Sequence, residues 1–254
     1  MICLANTHHI LGKYTEAENL QTQVLDISKR NLGEEHPQTI SAMGDLATTY
    51  CMLEKYTDAE LLNNKAFEIT ERIFGEEHPL TLTAVGNLAR TYHGQGKYAE
   101  AEKLQIQLLN ILPAINLPAE NAVKLPPAKI AVKLLPAENI VKLLPAENAV
   151  KVITAQADLA NIYHSMKKYK DAENIQRCVL NERRKIFGKT HPSSMQSMVE
   201  LAKTLKSQSM EFKAMILFRR VLRHQQKILG SMHPHTKETQ RHLDEFNNQV
   251  KGDS

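Results

Sequence analysis

Eleven histidines are the residues in this chain most able to do chemistry, and four of them share one context. His36, His78, His191 and His233 each precede a proline and follow a glycine by three residues. Imidazole is a common metal ligand and titrates near neutrality. A zinc site needs three or four ligands within about 2 Å of one ion, whereas these four are spaced 42, 113 and 42 residues apart. No metal site is expected from them. The adjacent acids Glu34-Glu35 and Glu76-Glu77 sit in turns and do not face each other across a cleft, so they read as solvated charges. No Gly-x-Ser-x-Gly elbow, phosphate-binding loop, dinucleotide fingerprint or His-Glu-x-x-His is present. Catalysis has no support in these patterns, and no cofactor is expected. Cys3, Cys51 and Cys178 are odd in number and far apart, which fits a reducing compartment. With no basic segment followed by an apolar run at the start, a cytoplasmic location is expected.

The elements that carry these residues are set by an internal repeat, the first thing to seek in such a chain. The string Gly-x-x-His-Pro occurs at residues 33–37, 75–79, 188–192 and 230–234. Leu-Ala recurs at Leu46-Ala47, Leu88-Ala89, Leu159-Ala160 and Leu201-Ala202, and Tyr50, Tyr92 and Tyr163 follow four residues after the first three leucines. Lys-Tyr recurs at Lys13-Tyr14, Lys55-Tyr56, Lys97-Tyr98 and Lys168-Tyr169, with Ala-Glu three residues on. The period is 42 residues within each half, and the middle Leu-Ala gap of 71 marks an insertion of 29.

Each period reads as two helices. Pro37 suits a first helical position, where its missing N–H costs nothing. Ile40, Met43, Leu46 and Tyr50 then recur on one face. Lys55-Tyr56 is expected to close the first helix, and Thr57-Asp-Ala-Glu60, like Thr15-Glu-Ala-Glu18, to open the second as a capping box. Gly75 is expected to end that helix in the left-handed conformation. One hairpin of this kind cannot bury its apolar face alone, so the units must stack.

Helix pairs with Leu-Ala-x-x-Tyr in the first helix and Ala-Glu in the second resemble tetratricopeptide repeats. The 42-residue period and the Gly-x-x-His-Pro-x-Thr junction resemble the kinesin-light-chain subtype of that family. The resemblance implies an all-α, right-handed superhelical solenoid of about five helix pairs, interrupted by a low-complexity insertion. A terminal helix over about 234–250, polar at Lys237, Glu238, Arg241, Asp244 and Glu245, is expected to cap it. The last full repeat departs from the pattern, with Leu205 at the tyrosine slot and Met210-Glu211 in place of Lys-Tyr, and the first repeat begins midway at Leu4-Ala5.

Function is then expected in binding. The resemblance implies that first helices line a concave face. By helical spacing, the residue before each Leu-Ala leucine and those two and five after it point there. These are Asp45, Thr48 and Cys51; Asn87, Arg90 and His93; Asp158, Asn161 and His164; and Glu200, Lys203 and Lys206, with Asn6 and His9 in the shortened first repeat. In the family, asparagine at such sites grips extended peptides; Asn87 matches it, whereas Asp45, Asp158 and Glu200 depart. The expected activity is a non-enzymatic scaffold for a peptide or partner domain, similar to the cargo-binding repeats of kinesin light chain. The partners that resemblance implies are a kinesin heavy chain or a cargo adaptor, although this chain carries no heptads for motor attachment. The alternatives are a sensor-type array, or a decayed fragment of a larger nucleotide-binding signalling protein of fungal or bacterial type.

The organisation expected is a repeat block over 1–111, an insertion over 112–152 and a second block over 153–254. The insertion holds a nonapeptide with Pro at 118, 127, 136 and 145 and Lys at 124, 133, 142 and 151. Proline every nine residues breaks a continuous helix, so a partly disordered or loosely helical segment is expected, each unit able to form two turns. Net charge is −6 over 1–117, +2 over 118–153 and +8 over 154–254. Such a gradient can steer partners or stack chains head to tail. The basic half lacks aromatic platforms, so nucleic-acid binding is not expected, and no apolar run reaches eighteen residues, so neither is membrane insertion.

Overall fold

The computed structural model describes residues 1–114 and 146–252, which fall in two compact units, Met1–Ile115 and Asn116–Ser254. The first contains α1 (Ile2–Ile10), α2 (Tyr14–Leu32), α3 (Pro37–Met52), α4 (Tyr56–Phe74), α5 (Pro79–Gly94) and α6 (Tyr98–Ala114). The second contains α7 (Ala146–Ser165), α8 (Tyr169–Phe187), α9 (Pro192–Ser207), α10 (Glu211–Ile228) and α11 (Pro234–Gly252). In each unit every helix packs on its chain neighbours, and consecutive first helices also touch, α3 with α5 and α7 with α9. That is the stacking of helix pairs in a tetratricopeptide solenoid. Among the described residues there is no strand, and no helix is long and apolar enough to cross a membrane.

The junction motif explains itself atom by atom. His36, His78 and His191 are the N-caps of α3, α5 and α9, and each Nδ1 accepts the backbone N–H two residues on, at 3.2 Å. Proline follows as the first helical residue, as expected. Thr39, Thr81 and Ser194 then donate their hydroxyls back to the carbonyls of Gly33, Gly75 and Gly188 at 2.7–2.8 Å. Those glycines have φ of +83 to +91°, but ψ of 166–171° places them in the mirror-extended region open to glycine alone. The left-handed cap expected at Gly75 is therefore corrected: its N–H reaches the Glu71 carbonyl while the chain leaves extended.

The second helices open two residues earlier than expected. Lys13, Lys55 and Lys168 are N-caps without a side-chain cap bond, so Thr15 and Thr57 lie inside α2 and α4 and the capping boxes do not form. The preceding first helix supplies the reason. Its end is a Schellman turn, in which Glu54 N–H bonds the Cys51 carbonyl and Lys55 N–H the Tyr50 carbonyl. This turn fixes the backbone entering α4. Glu18 and Glu60, expected to close boxes, instead reach the next repeat. Glu18 pairs with Lys55 at 2.7 Å, and Glu60 accepts from Gln95 at 2.6 Å and Lys97 at 3.2 Å. The lysines lie 5.7 and 5.1 Å from the Tyr50 and Tyr92 ring centroids. Tyrosine, Lys-Tyr and Ala-Glu are thus parts of one clamp between successive repeats.

Small alanines let the helices close up. Ala17, Ala59, Ala101, Ala172 and Ala214 are all fully buried, one per second helix. Met43 and Leu46 centre the core of the first unit, and Phe218, Leu205 and Val221 that of the second. The second block starts earlier than the boundary at 153: α7 begins at Ala146, and Ala149, Val152 and Ile153 are buried. The last nonapeptide therefore supplies the opening turns of α7, as its proline placement allows. Conversely, α6 continues to Ala114, past the boundary at 111. The expectation for 115–145 lies outside the described residues.

Candidate functional site

Four of the expected groove residues of the first unit come together. Asp45 and Thr48 on α3 and Asn87 and Arg90 on α5 line one open cavity of about 300 Å³, with the buried Ile40, Ala66 and Ala84 beneath them. Arg90 Nη2 donates to Asn87 Oδ1 one helical turn away, which aims the guanidinium along the helix. Gly44 allows the helices their approach here: a Cβ would lie 2.9 Å from Asn87 Nδ2. A second cavity, of about 230 Å³, opens between α1, α2 and α3 and includes Asn6, Ala5, Val24, Ala42 and again Asp45. Asp45 thus stands on the ridge between an apolar and a polar recess. Burial by the neighbouring helices pushes its carboxyl above the ordinary carboxylate range, against the opposing pull of His9.

The slot five residues after each leucine behaves differently. His9 Nδ1 bonds Thr49 Oγ1 at 2.9 Å, Cys51 Sγ lies 3.4 Å from Thr91 Oγ1, and His164 Nδ1 bonds Thr204 Oγ1 at 3.0 Å. Each therefore ties one first helix to the next. Burial lowers the His9 and His164 imidazoles and raises the Cys51 thiol. His93 is half-buried with its ring 5.7 Å from that of Tyr98. Thr91 also accepts from the buried Asn63 amide at 2.9 Å, so the hydroxyl is a node between repeats.

In the second unit the expected positions are mostly engaged. Lys203 pairs with Glu238 at 3.0 Å and with Glu200 at 3.5 Å, and Lys206 pairs with Glu245 and lies 4.9 Å from the Phe246 ring centroid. Burial pulls the Lys203 ammonium down, but Glu200 and Glu238 outweigh it and hold it above its ordinary value. Glu200 also accepts from Gln196. Asp158 is half-buried and draws on Arg183, whose guanidinium burial lowers. Asn161 is half-buried on α7. The polar face of α11 thus supplies counter-ions to α9, and Lys203 and Lys206 hold that helix in place.

Two contributions were not read from the residues. Ser41 and Thr83 line the polar cavity beside the expected set; they lie one turn before Asp45 and Asn87 on the same faces, so extending the spacing by four residues finds them. A buried amide at one slot of successive second helices (Gln21, Asn63, Gln105, Gln176) had no visible signal beyond its 42-residue recurrence in the first three. Among the described residues, no three His, Cys, Asp or Glu side chains converge as a metal site would require.

The tetratricopeptide repeat profile matches residues 1–72, 62–114 and 151–227. No curated protein matches the chain. Among solved structures, the chain is similar to a Podosopora anserina protein described as a kinesin light chain with nearly identical TPR-like repeats. It shares 25% identity over 88% of this chain and 92% of that one, with a TM-score of 0.54, and a second crystal structure so described gives 0.53. BtubC (BKLC) from P. vanneervenii shares the fold, at 19% identity over 89% of this chain and 79% of that one, TM-score 0.56. With more than half of its length matched by the profile and its 42-residue period shared by both units, this chain belongs to the tetratricopeptide repeat family.

Proposed function

We propose that this protein is a non-enzymatic scaffold that holds an extended segment of a partner protein along the first helices of its N-terminal unit. Tetratricopeptide repeats generally bind proteins or peptides, and the observation that carries the reading here is the open cavity between α3 and α5. It offers donors and acceptors (Asn87, Arg90, Thr48, Asp45) above an apolar base, the combination that satisfies a peptide backbone while burying a side chain. The second unit offers less, because Lys203 and Lys206 already have carboxylate partners. The kinesin-light-chain-like relatives make a cargo adaptor or kinesin heavy chain the partner class to try first.

The test is affinity capture from cell lysate, followed by calorimetry with the captured partner's minimal segment. Asn87→Ala with Arg90→Ala should weaken binding about tenfold, two lost polar contacts at about 0.7 kcal/mol each, with unchanged helicity. Gly44→Ala should disturb the same cavity through Asn87, whose Nδ2 would lie 2.9 Å from the added Cβ. Binding indifferent to both variants would place the partner elsewhere and end this assignment.

A further inference from the structure

The last second helix carries a surface that no other described second helix has. Along α10, Phe212, Ile216, Arg219, Arg220, Arg223 and Lys227 form one outward stripe at spacings of three or four residues. Phe212 is 71% and Ile216 49% exposed, and all four cations are exposed. Among the described residues none of the four pairs with an acid, and Arg220 instead faces the like charge of Arg184. The same slots on α4 hold Thr57, Leu61, Asn64, Lys65, Glu68 and Arg72, a mixed face. The stripe runs about 22 Å, fifteen residues at about 1.5 Å each.

An opposite surface lies at the end of α4. At the first junction Glu34 pairs with Lys65 at 2.8 Å and Glu35 with Arg72 at 2.6 Å. One period later those basic positions are Gln107 and Ala114, and among the described residues Glu76 and Glu77 have no ion-pair partner. Glu68 and Glu71 on α4 are likewise exposed, with no ion pair among the described residues, beside an exposed Ile73. Each unit therefore carries a patch of excess charge with apolar side chains beside it, basic along α10 of the second and acidic around the end of α4 in the first.

We propose that this chain binds a second copy of itself, the basic stripe of α10 on one copy seating against the acidic end of α4 on the other. The two surfaces are different, so the contact is heterologous and propagates head to tail. Electrostatic attraction steers and orients the encounter, and Phe212 and Ile216 against Ile73 supply the apolar contact. This proposal is independent of the peptide groove, which lies on the first helices.

The experiment is sedimentation velocity on the full chain from about 1 to 200 μM, at about 50 and 500 mM salt. Average mass should rise above the 28.7 kDa monomer with concentration at low salt, and the dissociation constant should weaken about tenfold or more at high salt, where the Debye length is about 4 Å. Arg219→Glu with Arg223→Glu, or Glu76→Lys with Glu77→Lys, should each leave a folded monomer, and mixing the two variants should restore association. Phe212→Ser should weaken it several-fold. A wild-type chain that stays monomeric at every concentration in low salt overturns the proposal. Association that ignores salt and both charge reversals overturns it equally.

Discussion

At the scale of single residues, the junction histidines show how a side chain with catalytic potential is used for its geometry. His78 caps α5 through Nδ1 and stacks on Phe74 with ring centroids 4.4 Å apart, and His191 repeats both contacts with Phe187 at 4.7 Å. Losing an N-cap costs about 1 kcal/mol, and a stacked pair contributes about 0.5–1.5 kcal/mol beyond its burial. His78→Ala should therefore destabilise the first unit by about 2 kcal/mol in chemical denaturation, and His78→Asn by about half that, since asparagine restores the cap alone. Equal losses would mean that the stacking is inert. The turn between paired helices offers a converse change. Glu54, Lys167 and Ser209 adopt φ of about +60°, at the slot that Gly12 and Gly96 fill in other repeats. A non-glycine residue there costs roughly 1 kcal/mol, offset in part by the extra unfolded-state entropy of glycine. Glu54→Gly, Lys167→Gly and Ser209→Gly should each raise the melting temperature slightly, and Gly96→Ala should lower it.

Helices in register are what the sequence made legible, and contacts between them are what it did not. The 42-residue spacing marked Pro37, Pro79 and Pro192 as helix starts and placed the Leu-Ala pairs in the core. It could not tell that Glu18 leaves its own helix for Lys55, because a periodic pattern assigns slots and says nothing of which slots meet across the stack. For the same reason the slot five after each leucine read as groove surface although His9, Cys51 and His164 spend it on Thr49, Thr91 and Thr204. The α9–α11 pair shows what such contacts do to stability. The His235 imidazole 4.0 Å away, against the opposing effect of burial, and the Lys203 ammonium at 3.0 Å hold Glu238 at about 2 instead of its usual 4.5. A lowered carboxyl stabilises the fold above about 4.5, and that contribution disappears as the pH falls through about 2. Burial also lowers the His242 imidazole, which lies 5.0 Å from the Phe218 ring, so protonating it below its usual 6.5 opposes folding as well. Both act in the same direction. The second unit should weaken on acidification from about pH 6.5, most steeply between 4.5 and 2. The Glu238 share is about 1 kcal/mol once its 40% exposure is allowed for. Lys203→Met should flatten the lower part of that profile in denaturant titrations, and an unchanged profile would remove the lysine from the account.

Stability in a repeat array is a sum of nearest-neighbour terms, so the whole molecule should unfold along its weakest seams. Within each unit the neighbours are tied three ways: by buried faces, by a glutamate of one second helix reaching the next repeat (Glu18 to Lys55 and Glu60 to Lys97 in the first unit, Glu173 to Gln208 in the second), and by threonine nodes such as Thr49 and Thr204. The residues collect into two compact units, each with its own apolar centre. The interval between α6 and α7 carries repeats of a proline-bearing nonapeptide in place of the Gly-x-x-His-Pro sequence found between other pairs. Two core truncations separate the possibilities. Met43, fully buried in the first unit, and Phe218, fully buried in the second, should each cost roughly 3–4 kcal/mol on change to alanine. If the units unfold separately, calorimetry of the full chain gives two transitions, Met43→Ala lowering one and Phe218→Ala the other, with the untouched transition fixed to within a degree or two. One transition lowered by both variants would mean that the two cores cooperate across the interval. The array would then be a single folding unit despite its interrupted repeat.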